Sequence, residues 1–424
     1  LTTQHSKGTA LRKYLARHAE PEARLGERVG RFDRVLCVPA AREPAACFEQ
    51  LAPALDGRTL TVIVINGTAD DQAGAKRNAE TLQLLRSGGT RVSDEPPAWL
   101  TTDPPRLVVD RASPGWEVPA KKAVGLARKV AADIACAMFA GGALTSRWIH
   151  MTDCDVELPG DYFSASSDRG VLLTYPFRHV ATGDAAVDSA HAIYEAFLRY
   201  YVLGLRRAGS RHAVHTIGST LAADVNAYAA VRGMPKRQAA EDFYLVNKIS
   251  KQGAVVTPVC SPLRIRSRRS LRVPFGTGRS TAAIVERGGR DFYHPDIFEL
   301  VGAWLRAVDR AADDGVSPAE VALDAVPSKH RDLLSAAIAV LDAERTLARA
   351  LDATPDEPGA RRKRAHEHFD AFRTRKLVHL LRDGGLGELP WRRALHEAPF
   401  VDVDPDAPPF RICEQLATAE YARA

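Results

Sequence analysis

At 424 residues, with 45% hydrophobic and 26% charged residues, the chain can bury a large core and reads as globular, which excludes a disordered or fibrous protein. Its net charge of +6, from 58 basic and 52 acidic residues, is too small and too dispersed to point to nucleic acid. No apolar stretch approaches the ~20 residues of a membrane span, and LTTQHSKGTALRKYLARHAE lacks a signal-peptide core, so a cytoplasmic protein is expected. The cysteines (Cys37, Cys47, Cys136, Cys154, Cys260, Cys413) show no CxxC pairing and are expected to be reduced and structural.

In chain order, residues 11–30 are Arg- and Glu-rich with scattered Leu and Ala, which predicts a solvent-exposed helix leading into a first strand, Arg34 to Ala40. Leu60 to Ile65 and Arg106 to Asp110 are further β-branched runs of strand length. Glu43 to Leu55 and Asp70 to Arg86 are long enough for crossover helices, so a mainly parallel, Rossmann-like sheet follows. Lys121 to Ala140 spaces Val124, Ala127, Val130, Ala131, Ile134, Ala137 and Met138 as one helical stripe facing that sheet. Strands at Trp148 to Thr152 and Val171 to Tyr175 come next, then a helix from Ala185 to Arg207. Asp224 to Arg232 and Phe243 to Lys251 read as helices, and Ala254 to Pro258 as a late strand. Ser261 to Arg279 is loop-like, and from about Asp296 the pattern is helical throughout.

Three local features carry chemistry. The strand Ile149-His150-Met151-Thr152 delivers Asp153-Cys154-Asp155, and acids beyond the carboxyl end of a strand in an open α/β sheet face a crevice. Two such oxygen donors suit Mg²⁺ or Mn²⁺ completed by water and phosphate, while an Asx turn ending the strand is the purely structural reading. Glu241-Asp242 opens a helix, where acids serve as caps or, in a site, as a general base. SPLRIRSRRSLRVPFGTGR holds six arginines (Arg264, Arg266, Arg268, Arg269, Arg272, Arg279) and no acid around Gly276-Thr277-Gly278, which suits a diphosphate clamp or a solvated basic loop.

Taken in order, these segments resemble the family 2 glycosyltransferases of GT-A fold over roughly residues 33 to 280. RVLCVPAARE, TVIVINGTADD, DRASPGWEVPAKKAVGLARKVAADIA, WIHMTDCDVELPGDYF and HTIGSTLAADVNAYAAVRGMPKRQAAEDFYLVNKISKQG carry the resemblance. It implies a lead-in at 1–32, a GT-A domain at 33–280 with a mainly parallel sheet flanked by helices, and a C-terminal helical extension at 281–424. It also implies a nucleotide-diphosphate-sugar donor and an Mn²⁺- or Mg²⁺-assisted, inverting transfer to an acceptor that nothing identifies. Asp153 and Asp155 would hold the metal, with His294 of FYHP closing that site, and Asp242 would be the base with Glu241 beside it. Pro39, Ala40, Glu43, Asp70 or Asp71, Arg128, Gly218 and Ser219 would border the donor; beside the resemblance, Arg272 and Arg279 of the Arg-rich run are expected at its diphosphate and His215 at the acceptor. The Gln-x-x-Arg-Trp motif of the processive, polysaccharide-making members is absent, which implies a soluble, non-processive bacterial type. The rivals are a sugar nucleotidyltransferase, a retaining GT-A enzyme and a non-catalytic nucleotide-sugar-binding protein. Oligomeric state is left open.

Overall fold

The computed structural model describes residues 2–166, 169–266, 277–355 and 357–422, the side chains of 2–8 and 358 excepted. They form two compact units: 2–181 with 216–266, and 182–215 with 277–422. The long helix at Ala185–Arg207, read in the sequence as part of the 33–280 domain, therefore packs with the C-terminal helices.

The first unit is an α/β fold built on a nine-stranded sheet. It starts with α1 (Thr2–Arg17), followed by β1 (Arg34–Ala40) and β2 (Thr59–Asn66), whose residues are almost all buried and pair in parallel from Arg34 with Thr59 to Ala40 with Ile65. Next come α2 (Gln72–Leu85), the hairpin β3 (Thr90–Asp94) and β4 (Pro97–Thr102), β5 (Pro105–Arg111) and α3 (Ala123–Ala140). Then follow β6 (Trp148–Met151), β7 (Val156–Glu157), β8 (Leu172–Thr174) and β9 (Phe177–Val180), and the unit resumes at β10 (Leu221–Asp224). The sheet order is β11-β8-β10-β6-β1-β2-β5-β4-β3, where β11 is Val255–Val256. β6, β1, β2 and β5 are mutually parallel, so Ala40, Asn66, Arg111 and Met151 all end at one edge. β10 runs antiparallel to β6, with Leu221 opposite Met151, so the chain entering β10 lies at that same edge.

Three expectations change here. Glu43 to Leu55 forms 3₁₀ turns over Ala45–Ala54 instead of an α-helix, and Pro53 near their end supplies no N–H to continue an i to i−4 ladder. The solvent-exposed lead-in is anchored, with Leu11, Tyr14 and Leu25 buried. The loop expected from Ser261 to Arg279 contains a strand, β12 (Leu263–Arg266), between β7 and β9, and ends in a helix at Thr277–Arg287.

α3 packs along β1, β2 and β6 and is buried nearly all round, Arg128, Lys129 and Asp133 included. The second unit has its own core, in which Trp304, Phe298, Tyr200, Phe292 and Phe369 are fully buried. Gly204 on the helix Ala185–Arg207 is required there: a Cβ would sit 2.6 Å from the Phe298 ring. This unit is not wholly helical, since Asp291–Tyr293 pairs antiparallel with Glu388–Pro390.

Candidate functional site

The site is built around Arg128, one turn into α3. Arg128 is only 4% exposed. Its Nη2 donates to Asp153 Oδ1 at 2.7 Å, its Nε to Glu241 Oε1 at 3.2 Å, and its Nη1 to the Gly218 carbonyl at 3.0 Å. Burial by itself lowers the Arg128 pKa, but Asp153, Glu241 and Asp242 outweigh it and raise the pKa above the ordinary arginine value. One fixed cation thus ties together the acid pair after β6, the acid pair that opens the helix Glu241–Ile249 and the turn before β10. With three nitrogens on protein acceptors, Arg128 positions its neighbours.

Two glycines make this convergence possible. A Cβ on Gly218 would lie 3.0 Å from the Arg128 guanidinium, so the flat group rests against bare backbone. A Cβ on Gly125 would lie 2.5 Å from Arg237 N and Pro235 O, and the Gly125 N–H donates to Arg237 O at 3.0 Å. Gly125 thereby seats the 235–237 loop, which leads into Glu241-Asp242, on the helix that carries Arg128.

Asp242 is half-buried. Its Oδ2 accepts from the Gly218 N–H at 2.9 Å and its Oδ1 from the Phe243 N–H at 2.7 Å. Burial first, and then the like charge of Glu241, push its carboxyl up to about 7, against the backbone bonds and Arg128. Glu241 is raised as well, by burial in excess of the attraction of Arg128. A carboxylate poised near neutrality and held by two backbone donors is suited to accept a proton.

The residue before this pair, Ala240, sits in the left-handed region at φ +59°. There an L side chain costs about 1–2 kcal/mol, whereas glycine pays only the extra freedom it gains when unfolded. Ala240→Gly should therefore leave the urea midpoint unchanged or raise stability by up to about 1 kcal/mol. A clear loss would show that the Ala240 methyl group contributes packing that outweighs this strain.

Asp153 keeps 39% of its side chain exposed while one oxygen faces Arg128, and Asp155 is half-buried. Pro39 and Ala40 are buried at the end of β1, opposite Val64 and Ile65. Asp70 is exposed, whereas Asp71 caps α2 through Gly74 N at 2.8 Å and pairs with Arg42 at 2.5 Å. Ser219 is buried in the short turn Gly218–Thr220. Glu43 is buried beside Cys47 and Cys154. His215, His294 and Arg279 belong to the second unit. In that unit His215 Nε2 lies 2.9 Å from Glu420, His294 Nδ1 accepts from the Asp296 N–H at 3.2 Å, and Arg279 is exposed on its helix. Arg272, like Arg268, Arg269 and Gly276, lies outside the described residues.

Sequence reasoning missed Asn66, whose buried Oδ1 at the end of β2 has no hydrogen-bond partner among the described residues. It also missed the Glu43-Cys47-Cys154 group. The signals available were a polar residue closing an apolar strand and a Glu-x-x-x-Cys spacing just beyond β1.

No protein-family model matches the chain, and no curated protein does. Among solved structures the chain is similar to S. aureus TarS 1–349 in complex with UDP-GlcNAc, at 11% identity and a TM-score of 0.37, over 80% of this chain and 91% of that one.

Proposed function

We propose that the first unit is a glycosyltransferase that moves a sugar from a nucleotide-diphosphate donor to an acceptor hydroxyl with inversion. The observation that carries this reading is the Arg128 hub, which joins Asp153, Gly218 and Glu241 while Gly218 also holds Asp242. In the step proposed, the acceptor oxygen attacks the anomeric carbon and Asp242 takes its proton. The bond from that carbon to the diphosphate oxygen breaks, and a nucleoside diphosphate departs. Arg128 holds Asp153 and Glu241 in register for this, and Pro39, Ala40, Asn66 and Ser219 border the donor at the same sheet edge.

Two carboxylates one residue apart, both partly open, fit a hard dication whose remaining ligands are phosphate and water. Asp155, with the oxygen of Asp153 that does not face Arg128, would hold Mg²⁺ or Mn²⁺. The chemistry it would supply is screening of charge on the departing diphosphate. Because Asp153 is shared with Arg128, Asp155→Ala should weaken metal-dependent donor binding more than it lowers turnover at saturating donor. Calorimetric titration with and without Mn²⁺ reads this directly. Equal, mild changes in both quantities would contradict the division of roles.

The reading itself is tested by titrating the protein with UDP-, GDP- and dTDP-sugars, with and without Mn²⁺, and following thermal stability and product. Stabilisation by one donor and release of its nucleoside diphosphate support it. No stabilisation by any of them, or pyrophosphate as product, overturns it. Among the described residues no helix is long and apolar enough to cross a membrane.

A further inference from the structure

Glu43 lies just beyond the carboxyl end of β1, and Cys47 four residues on in the 3₁₀ turns of Ala45–Ala54. Cys154 sits in the turn after β6, between Asp153 and Asp155. β1 and β6 are neighbours and parallel, so their following loops meet at one edge. There a carboxylate oxygen of Glu43 and the Sγ atoms of Cys47 and Cys154 all lie within 4.8 Å of one another. Cys47 Sγ is 3.9 Å from Glu43 Oε2. Glu43 is 4% and Cys154 1% exposed, while Cys47 is half-buried and gives the group a way in from solvent.

We propose that Glu43, Cys47 and Cys154 form a binding site for a thiophilic divalent cation of the zinc class, separate from the Asp153/Asp155 pair. Two thiolates and one carboxylate are a zinc donor set and a poor one for Mg²⁺ or Ca²⁺, which take oxygen ligands. Tetrahedral Zn–S bonds of about 2.3 Å put two sulfurs about 3.8 Å apart, so the present spread of at most 4.8 Å has to contract by about 1 Å or less. The thiols lose their protons as the cation binds, and water on the Cys47 side supplies the fourth ligand. Cys154 separates the two acids, so an ion here pins the turn that presents them. Glu43 is then a ligand of this site and not a contact to the nucleotide.

The test uses the reduced full chain, stripped by chelator and held in excess Mg²⁺ to occupy the acid pair, with Cd²⁺ as probe. The expected result is a cadmium–thiolate charge-transfer band that saturates at one equivalent. Cys47→Ser and Glu43→Gln should weaken Cd²⁺ binding by at least the ~10–100-fold that loss of an outer-sphere partner costs. In the unaltered protein Zn²⁺, but not Mg²⁺, should slow alkylation of Cys47, which keeps the proposal testable if a variant fails to fold. Absence of the band, the same band in Cys47→Ser, or equal protection by Mg²⁺ would overturn it.

Discussion

Asp242→Asn should lower turnover by ~10² or more, about 2.7 kcal/mol of transition-state stabilisation, while leaving donor affinity nearly unchanged. The asparagine keeps the shape and one acceptor for the Gly218 and Phe243 N–H groups but cannot take a proton. The Arg128 bonds to Asp153, Glu241 and Gly218 do not involve Asp242, so the donor side of the site stays assembled. In the unaltered protein the rate at saturating substrates should rise with pH through the neutral region, because the carboxyl pushed up to about 7 must be ionised to work.

Stability should move the other way. A raised native pKa means that the folded state binds more protons than the unfolded one between the ordinary aspartate range, about 4, and about 7. The Asp242 contribution to stability is therefore lost as pH rises across that window. Asp242→Asn should melt higher than the parent at pH 8, with the gap narrowing toward pH 4. A turnover loss without any pH-dependent difference in melting would mean that Asp242 titrates normally in the folded protein. Unchanged turnover would remove it as the base.

The parallel core was legible because continuous apolar runs of strand length have few other homes: β1 runs over the expected residues, and β2 and β5 extend the expected runs by one residue at either end. The helix Ala185–Arg207 was legible by period. The β3–β4 hairpin was not, since its outer strand is mostly exposed and polar and carries no alternation to read. Nor could the sequence show that Arg128 spends its donors on protein, because Asp153, Gly218 and Glu241 are brought to it only by the antiparallel entry of β10 beside β6. Ala240 illustrates the same limit. Nothing in the residues before Glu241 marks the left-handed conformation that Ala240 adopts at φ +59°.

Asp133→Ala should cost the first unit about 3–5 kcal/mol, the effect expected when one member of a buried ion pair is removed and the other stays buried. Asp133 is fully buried on α3, one turn beyond Lys129, whose Nζ donates to Asp133 Oδ2 at 2.8 Å and to Tyr14 Oη at 2.6 Å. The same carboxylate accepts from the Glu20 N–H at 2.7 Å, from the Tyr14 hydroxyl, and from Tyr228 Oη at 3.4 Å. Burial nonetheless raises the Asp133 pKa beyond what Lys129 and these donors recover. The cluster is therefore a clasp that holds α1 to α3 at a desolvation cost and not a surplus of electrostatic energy. Replacing both charges with Lys129→Met and Asp133→Leu should accordingly cost less than the two single changes summed, and urea denaturation of the three variants measures the coupling. Limited proteolysis should cut near α1 first in Asp133→Ala, while turnover per folded molecule stays near the parent value. If the loss falls below about 1 kcal/mol, the range of an exposed pair, water reaches Lys129 and the clasp is looser than these distances imply.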